Sequence, residues 1–135
     1  MPIITSLYAA ILALLFYKLS MRTIQLRRSL RIPIGDGGEP QMARAMRVHA
    51  NFAEYVPLAL VLLFLVESNG APGWVVHVLG LLLLAGRLLH AGGVSRVKED
   101  FRLRIGGMRL TFIMLIAASV YLLVTIGLTL LGNLG

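Results

Sequence analysis

Arg47, Asn51 and Glu54 stand in the run Arg47-Val48-His49-Ala50-Asn51-Phe52-Ala53-Glu54-Tyr55-Val56-Pro57. Positions i, i+4 and i+7 share one face of an α-helix, so a base, an amide and an acid climb that face in a column, with Leu58 next at i+11. Arg47 and Glu54 then sit ~10 Å apart along the axis. The run leads into an almost wholly apolar stretch from Leu58 to Val66, so the acid is carried toward lipid. An ionised carboxylate there is costly unless it faces protein or water and has a partner. Glu54 is therefore a candidate functional group, with a structural ion pair to Arg47, Arg87 or Arg109 as the alternative.

Other polar residues belong to the same inventory. Arg87 and His90 are i, i+3 near the end of a later apolar segment, Arg109 opens the last one, and Arg27 and Arg28 close the first. Each has a plainer role available. The arginines can anchor helix ends at the interface. Asn51 can be interhelical glue, His90 a packed histidine, and Tyr55 and Tyr121 ordinary packing aromatics. Taken together, the set places several cations around one acid. Such a site suits an anion with more than one carboxylate, and its acid suits an ammonium group. Glutathione has that inventory plus a thiol, and a phospholipid headgroup fits it too. A thiol beside an arginine is favoured as thiolate, and so as nucleophile.

The chain has 135 residues, 58% hydrophobic and 14% charged, with a mean hydropathy of +0.84. Four long apolar segments without strand-like alternation predict an all-α, four-helix membrane bundle in one domain spanning residues 1–135. The helices are expected at about 3–28, 41–68, 74–91 and 105–131. The first lacks a basic leader and a small-residue cleavage pattern, and is expected to be a retained span. Two prolines and three glycines in residues 33–40 make the first loop. Pro57 frees the Ala53 carbonyl and predicts a kink beside Glu54. Trp74 suits an interface, and Gly92-Gly93 are expected to stop the third helix. Residues 110–131 carry no charge and are long enough to span.

The absence of cysteine excludes disulfides and a thiolate metal site, and no metal is expected. The net charge of +7 follows largely from basic loops. The loop after the first helix and that holding Arg96, Lys98, Arg102 and Arg104 are basic, whereas Asn69 to Gly73 is uncharged. The positive-inside rule puts both basic loops in the cytoplasm and both termini opposite. The candidate residues then share one level, in the cytoplasmic half. No basic soluble module is present to bind nucleic acid.

The run from Arg47 to Pro57 resembles the second-helix signature of the MAPEG superfamily, the membrane-associated proteins of eicosanoid and glutathione metabolism. The resemblance covers essentially the whole chain, and the Arg-x-x-x-Asn-x-x-Glu-Tyr spacing is its most specific part. It implies a homotrimer in a bacterial inner membrane, with glutathione as co-substrate bound between subunits near the cytoplasmic face. Arg47, Asn51, Glu54 and Tyr55 match the glutathione-binding positions, Arg27 or Arg28 the arginines closing the first helix, and Arg87 and His90 polar positions late in the third. Arg109 resembles the arginine that stabilises the thiolate in catalytic members. Val94 stands where some members have tyrosine, and Leu110 where the prostaglandin synthase has serine. Both departures point away from eicosanoid activities and toward a bacterial-type member.

The resemblance therefore implies a glutathione S-transferase or peroxidase acting on a lipophilic electrophile or hydroperoxide that arrives through the bilayer. The competing reading is a non-catalytic membrane protein whose polar cluster holds the trimer or lipid headgroups. A channel is disfavoured, because the polar residues occupy one half of the bundle and make no continuous path.

Overall fold

The computed structural model describes residues 1–95 and 100–133. It is all-helical: α1 spans Ile3–Leu30, α2 Pro40–Ser68, α3 Gly73–Val94 and α4 Phe101–Gly132. All four are long and apolar enough to cross a membrane. Arg96, Lys98 and Glu99 of the second basic loop lie outside the described residues.

Successive helices alternate in direction. The ends of α1 and α3 thus lie beside the starts of α2 and α4. α2 packs on all three other helices, α3 and α4 form the closest pair, and α1 and α4 do not touch. The core is a layer of Leu12, Phe52, Val56, Leu63, Leu83, Met114 and Ala118. The outer faces stay apolar, with Leu58, Val61, Ile116 and Leu123 exposed, as a lipid-facing surface requires.

Helix termini explain where the observed bounds depart from the expected ones. α1 ends at Leu30, and Arg31 adopts a left-handed cap with φ 54°. α4 begins at Phe101 and not near Ile105, because Asp100 caps it: the carboxylate accepts from the N–H groups of Arg102 (3.0 Å) and Leu103 (3.2 Å). At the opposite end of the bundle, Glu67 of α2 caps α1 from outside the helix. Its two carboxylate oxygens accept from the N–H groups of Ile4 (3.0 Å) and Thr5 (2.7 Å). These donors have no partner within α1, and the helix N-terminus favours a negative charge. Pro57 lies inside α2 without ending it.

Gly92-Gly93 do not stop α3, which runs on to Val94. Gly93 instead lets α4 approach: a Cβ there would lie 2.6 Å from the Arg104 nitrogen. The same close approach recurs one turn further along α4, where a Cβ on Gly107 would lie 2.5 Å from both the Gly86 oxygen and the His90 nitrogen. Gly107→Val is accordingly expected to destabilise the protein by roughly 1–3 kcal/mol or more, since the α3 backbone it would meet cannot yield. Gly106→Val should melt like the parent, because nothing lies within 4 Å of a Cβ at that position. Thermal unfolding in detergent compares the two; equal melting would show that the α3–α4 spacing is not set at this glycine.

Candidate functional site

The column on α2 divides between two environments. Arg47 and Glu54 stay on the outer face as an ion pair at 3.3 Å, with side chains 59% and 48% exposed. Asn51 turns inward and is buried. Tyr55, half-buried, lies between these directions. Of the three arginines considered as partners for Glu54, Arg47 is the one it meets.

Asn51 meets Arg87. That guanidinium is 1% exposed. Its Nη1 donates to Asn51 Oδ1 at 2.8 Å, and Nη2 donates to Thr111 Oγ1 at 2.6 Å. Thr111 gives its own proton to the Gly107 carbonyl at 2.9 Å, which leaves its oxygen lone pairs for the arginine. Nη2 also reaches Met108 Sδ at 3.4 Å, and the Tyr55 ring centroid lies 5.7 Å from Cζ. Nε has no hydrogen-bond partner among the described residues. Among the described residues no carboxylate pairs with this cation. A buried charge held only by neutral dipoles and a ring face is unusual, because burial penalises ions that lack a counter-charge.

His90 sits one turn further along α3. It is 5% exposed, and neither ring nitrogen has a hydrogen-bond partner among the described residues. It lines a cleft of about 250 Å³ together with Arg44, Arg47, Asn51 and Tyr55 of α2, Val94 of α3, and Arg104 and Met108 of α4. Arg87 lies beneath this lining, joined to it through Asn51, Tyr55 and Met108. Four of the residues singled out from sequence thus line one cleft: Arg47, Asn51, Tyr55 and His90. Two more, Glu54 and Arg87, contact its lining.

The remaining three lie elsewhere on the subunit. Arg27 fastens the first loop, donating to the carbonyls of Gly35 (3.0 Å) and Ile32 (3.4 Å) and reaching Met46 Sδ (3.5 Å). Arg28 is exposed, and both arginines border a separate recess with Arg31. Arg109 is exposed on α4 and does not line the cleft of its own subunit.

Arg44 and Arg104 are the cleft residues that sequence reasoning missed. Arg44 donates to the Val94 carbonyl at 3.4 Å. The spacing of Arg44, Arg47, Asn51 and Tyr55 at i, i+3, i+7 and i+11 was a helical stripe available to be read. Arg104 reads locally as the end of a basic loop, and the Asp100 cap is the signal that makes it helical.

The cleft concentrates positive charge at the mouth and beneath the floor, with one acid at the rim. Such a lining offers positive charge and hydrogen-bond donors of the kind an anion requires. A volume of about 250 Å³ falls a little below the usual range of ~300–1,000 Å³ for small-molecule pockets.

Comparison with known sequences places this geometry in context. The sequence model of the MAPEG family matches residues 5–124. The chain is also 43% identical over 109 residues to the inner membrane protein YecN of Escherichia coli strain K12, covering 81% of this chain and 82% of that protein. The protein of the same name from Escherichia coli O6:H1 strain CFT073 matches to the same extent.

Proposed function

Because the chain belongs to the MAPEG family, we propose that it is a multi-pass inner-membrane protein that binds glutathione in the α2–α3–α4 cleft and uses its thiol on a lipophilic electrophile or hydroperoxide. The observation that carries this reading is the cleft itself, where Arg44, Arg47 and Arg104 surround Asn51, Tyr55 and His90 above the buried Arg87. Arg44 and Arg47 take the two carboxylates, Arg104 faces the thiol, Glu54 takes the ammonium group, and Asn51 and Tyr55 offer hydrogen bonds to the peptide units. A homotrimer supplies the missing wall from a neighbouring subunit, and the apolar space between subunits admits a substrate dissolved in lipid.

In conjugation, the thiol proton leaves to water. The thiolate sulfur then bonds to the electrophilic carbon, and the leaving group departs with the electron pair. In peroxide reduction, the sulfur attacks the terminal peroxide oxygen. The O–O bond breaks, the organic alkoxide takes a proton to become the alcohol, and a second thiol converts the sulfenic acid to disulfide and water. Cationic side chains favour the first step of both by stabilising the thiolate.

Calorimetry with glutathione in detergent tests the binding step. Saturable binding is expected, and Glu54→Gln should weaken it by roughly tenfold while leaving the oligomer intact, because a partly exposed charge contact is lost and the shape kept. The Arg47–Glu54 pair at 3.3 Å also favours a second reading, in which this acid has only a structural role as an ion-pair partner. Dissociation of the Glu54→Gln oligomer, with unchanged affinity per folded subunit, would decide for that reading.

The cleft is proposed to face the cytoplasm, where basic loops are retained. A phosphatase reporter fused at the C-terminus should then be active outside the cytoplasmic face, and a fluorophore that matures only in the cytoplasm should stay dark there. The reverse pattern would move the cleft to the other leaflet.

A further inference from the structure

A second recess lies on the other side of the last turns of α3. α1 and α3 are the most loosely packed of the touching helices. Between them opens a groove of about 860 Å³, with Leu15 and Leu19 in its apolar part and Lys18 and Arg22 at its cationic end. Arg22 reaches across it, Nη2 donating to the Ser95 carbonyl at 2.8 Å. Gly92 forms part of the α3 wall, and a Cβ added there would meet nothing within 4 Å among the described residues. His90 and Val94 point to the glutathione cleft, whereas Ala91, Gly92 and Ser95 line this groove. The two recesses are therefore separate faces of one helix end.

We propose that this groove is a binding site for one anionic phospholipid, its phosphate at Lys18 and Arg22 and an acyl chain along Leu15 and Leu19. Depth supports the assignment. About twenty helical residues cross the hydrocarbon, so a span starting at Ile3 brings Lys18 and Arg22 to the opposite headgroup level. Chemistry supports it as well: an ammonium and a guanidinium one turn apart above leucines match a phosphate above a chain.

Native mass spectrometry of the full-length protein in detergent, titrated with phosphatidylglycerol or phosphatidylcholine, tests this. A basic side chain beside anionic headgroups gives about a fivefold gain, so the pair predicts roughly twentyfold preference for phosphatidylglycerol. Lys18→Gln should remove about fivefold of that preference. Gly92→Phe should block lipid of either kind while melting like the parent, because the ring fills the open groove and no protein contact is lost. Equal retention of the two lipids would overturn the proposal, as would undiminished phosphatidylglycerol binding in Gly92→Phe. Competition by free glycerol phosphate as effective as the whole lipid would reduce the site to an anion site and also overturn it. A change of oligomeric state in Gly92→Phe would identify a second copy as the occupant instead. None of these outcomes depends on glutathione binding, which is measured separately by calorimetry.

Discussion

Arg87→Met is expected to melt at the same temperature as the parent or higher, and to bind glutathione roughly a hundredfold more weakly. The two effects have different origins. The guanidinium is 1% exposed and neutralised by no carboxylate among the described residues. Its own contribution to folding is therefore the balance of two hydrogen bonds and a ring contact against the penalty of burying an ion. Methionine keeps much of the volume, removes that penalty, and leaves Asn51 and Thr111 to re-pair, Thr111 still bonded to the Gly107 carbonyl. The loss in binding comes from the field. A cation ~6 Å from a bound anion at an effective dielectric of ~20 contributes about 3 kcal/mol. A charge held at no net gain to the fold, directly under a cleft, is what a ligand-binding role predicts. Melting curves and calorimetry on the same preparation separate the terms. A collapse of the melting temperature with unchanged affinity per folded protein would make Arg87 a structural residue.

That buried arginine also marks where the sequence could and could not be read. The four helices were legible because apolar stretches of about twenty residues admit no other reading in lipid. The α2 column was legible because helical periodicity is local. Its division was not: whether Asn51 turns inward while Arg47 and Glu54 stay outside depends on where α3 crosses, and that crossing is set by contacts distant in the chain. Gly93 shows the same limit. A Gly-Gly pair near a helix end reads locally as a stop, yet the α4 backbone against it requires glycine for close approach. Glu67 capping α1 from α2 joins residues 63 positions apart, and no local pattern announces it. Arg104 was different, because Asp100 three residues before Leu103 is a local cap signal. Starting α4 at Phe101 moves Arg104 from a loop to a helix face that lines the cleft, whereas Arg109, the arginine chosen from sequence, points outward from its own subunit.

The two arginines of α4 make a decisive pair. Arg104→Ala is expected to cut turnover by roughly a hundredfold while glutathione affinity falls far less, since an interaction with the ionised sulfur is strongest after the proton has left. Glutathione thiol ionises at ~8.5 when free, and a close cation in a poorly hydrated cleft lowers that value. Thiolate absorbance of the bound tripeptide, titrated against pH, should therefore shift upward in Arg104→Ala. Arg109 can meet the sulfur only across a subunit boundary, because on its own subunit it lies outside the cleft. Arg109→Ala should then lose turnover as well, and the two defects should complement. In trimers assembled from equal amounts of Arg104→Ala and Arg109→Ala subunits, an intact cleft faces an intact Arg109 at about one interface in four, given a head-to-tail ring. Activity near a quarter of the parent's, from two inactive preparations, is the expected result. Full activity of Arg109→Ala by itself would make that residue an interfacial anchor. Inactivity of the mixed trimers would place both arginines in one subunit's chemistry and remove the neighbour from the catalytic step.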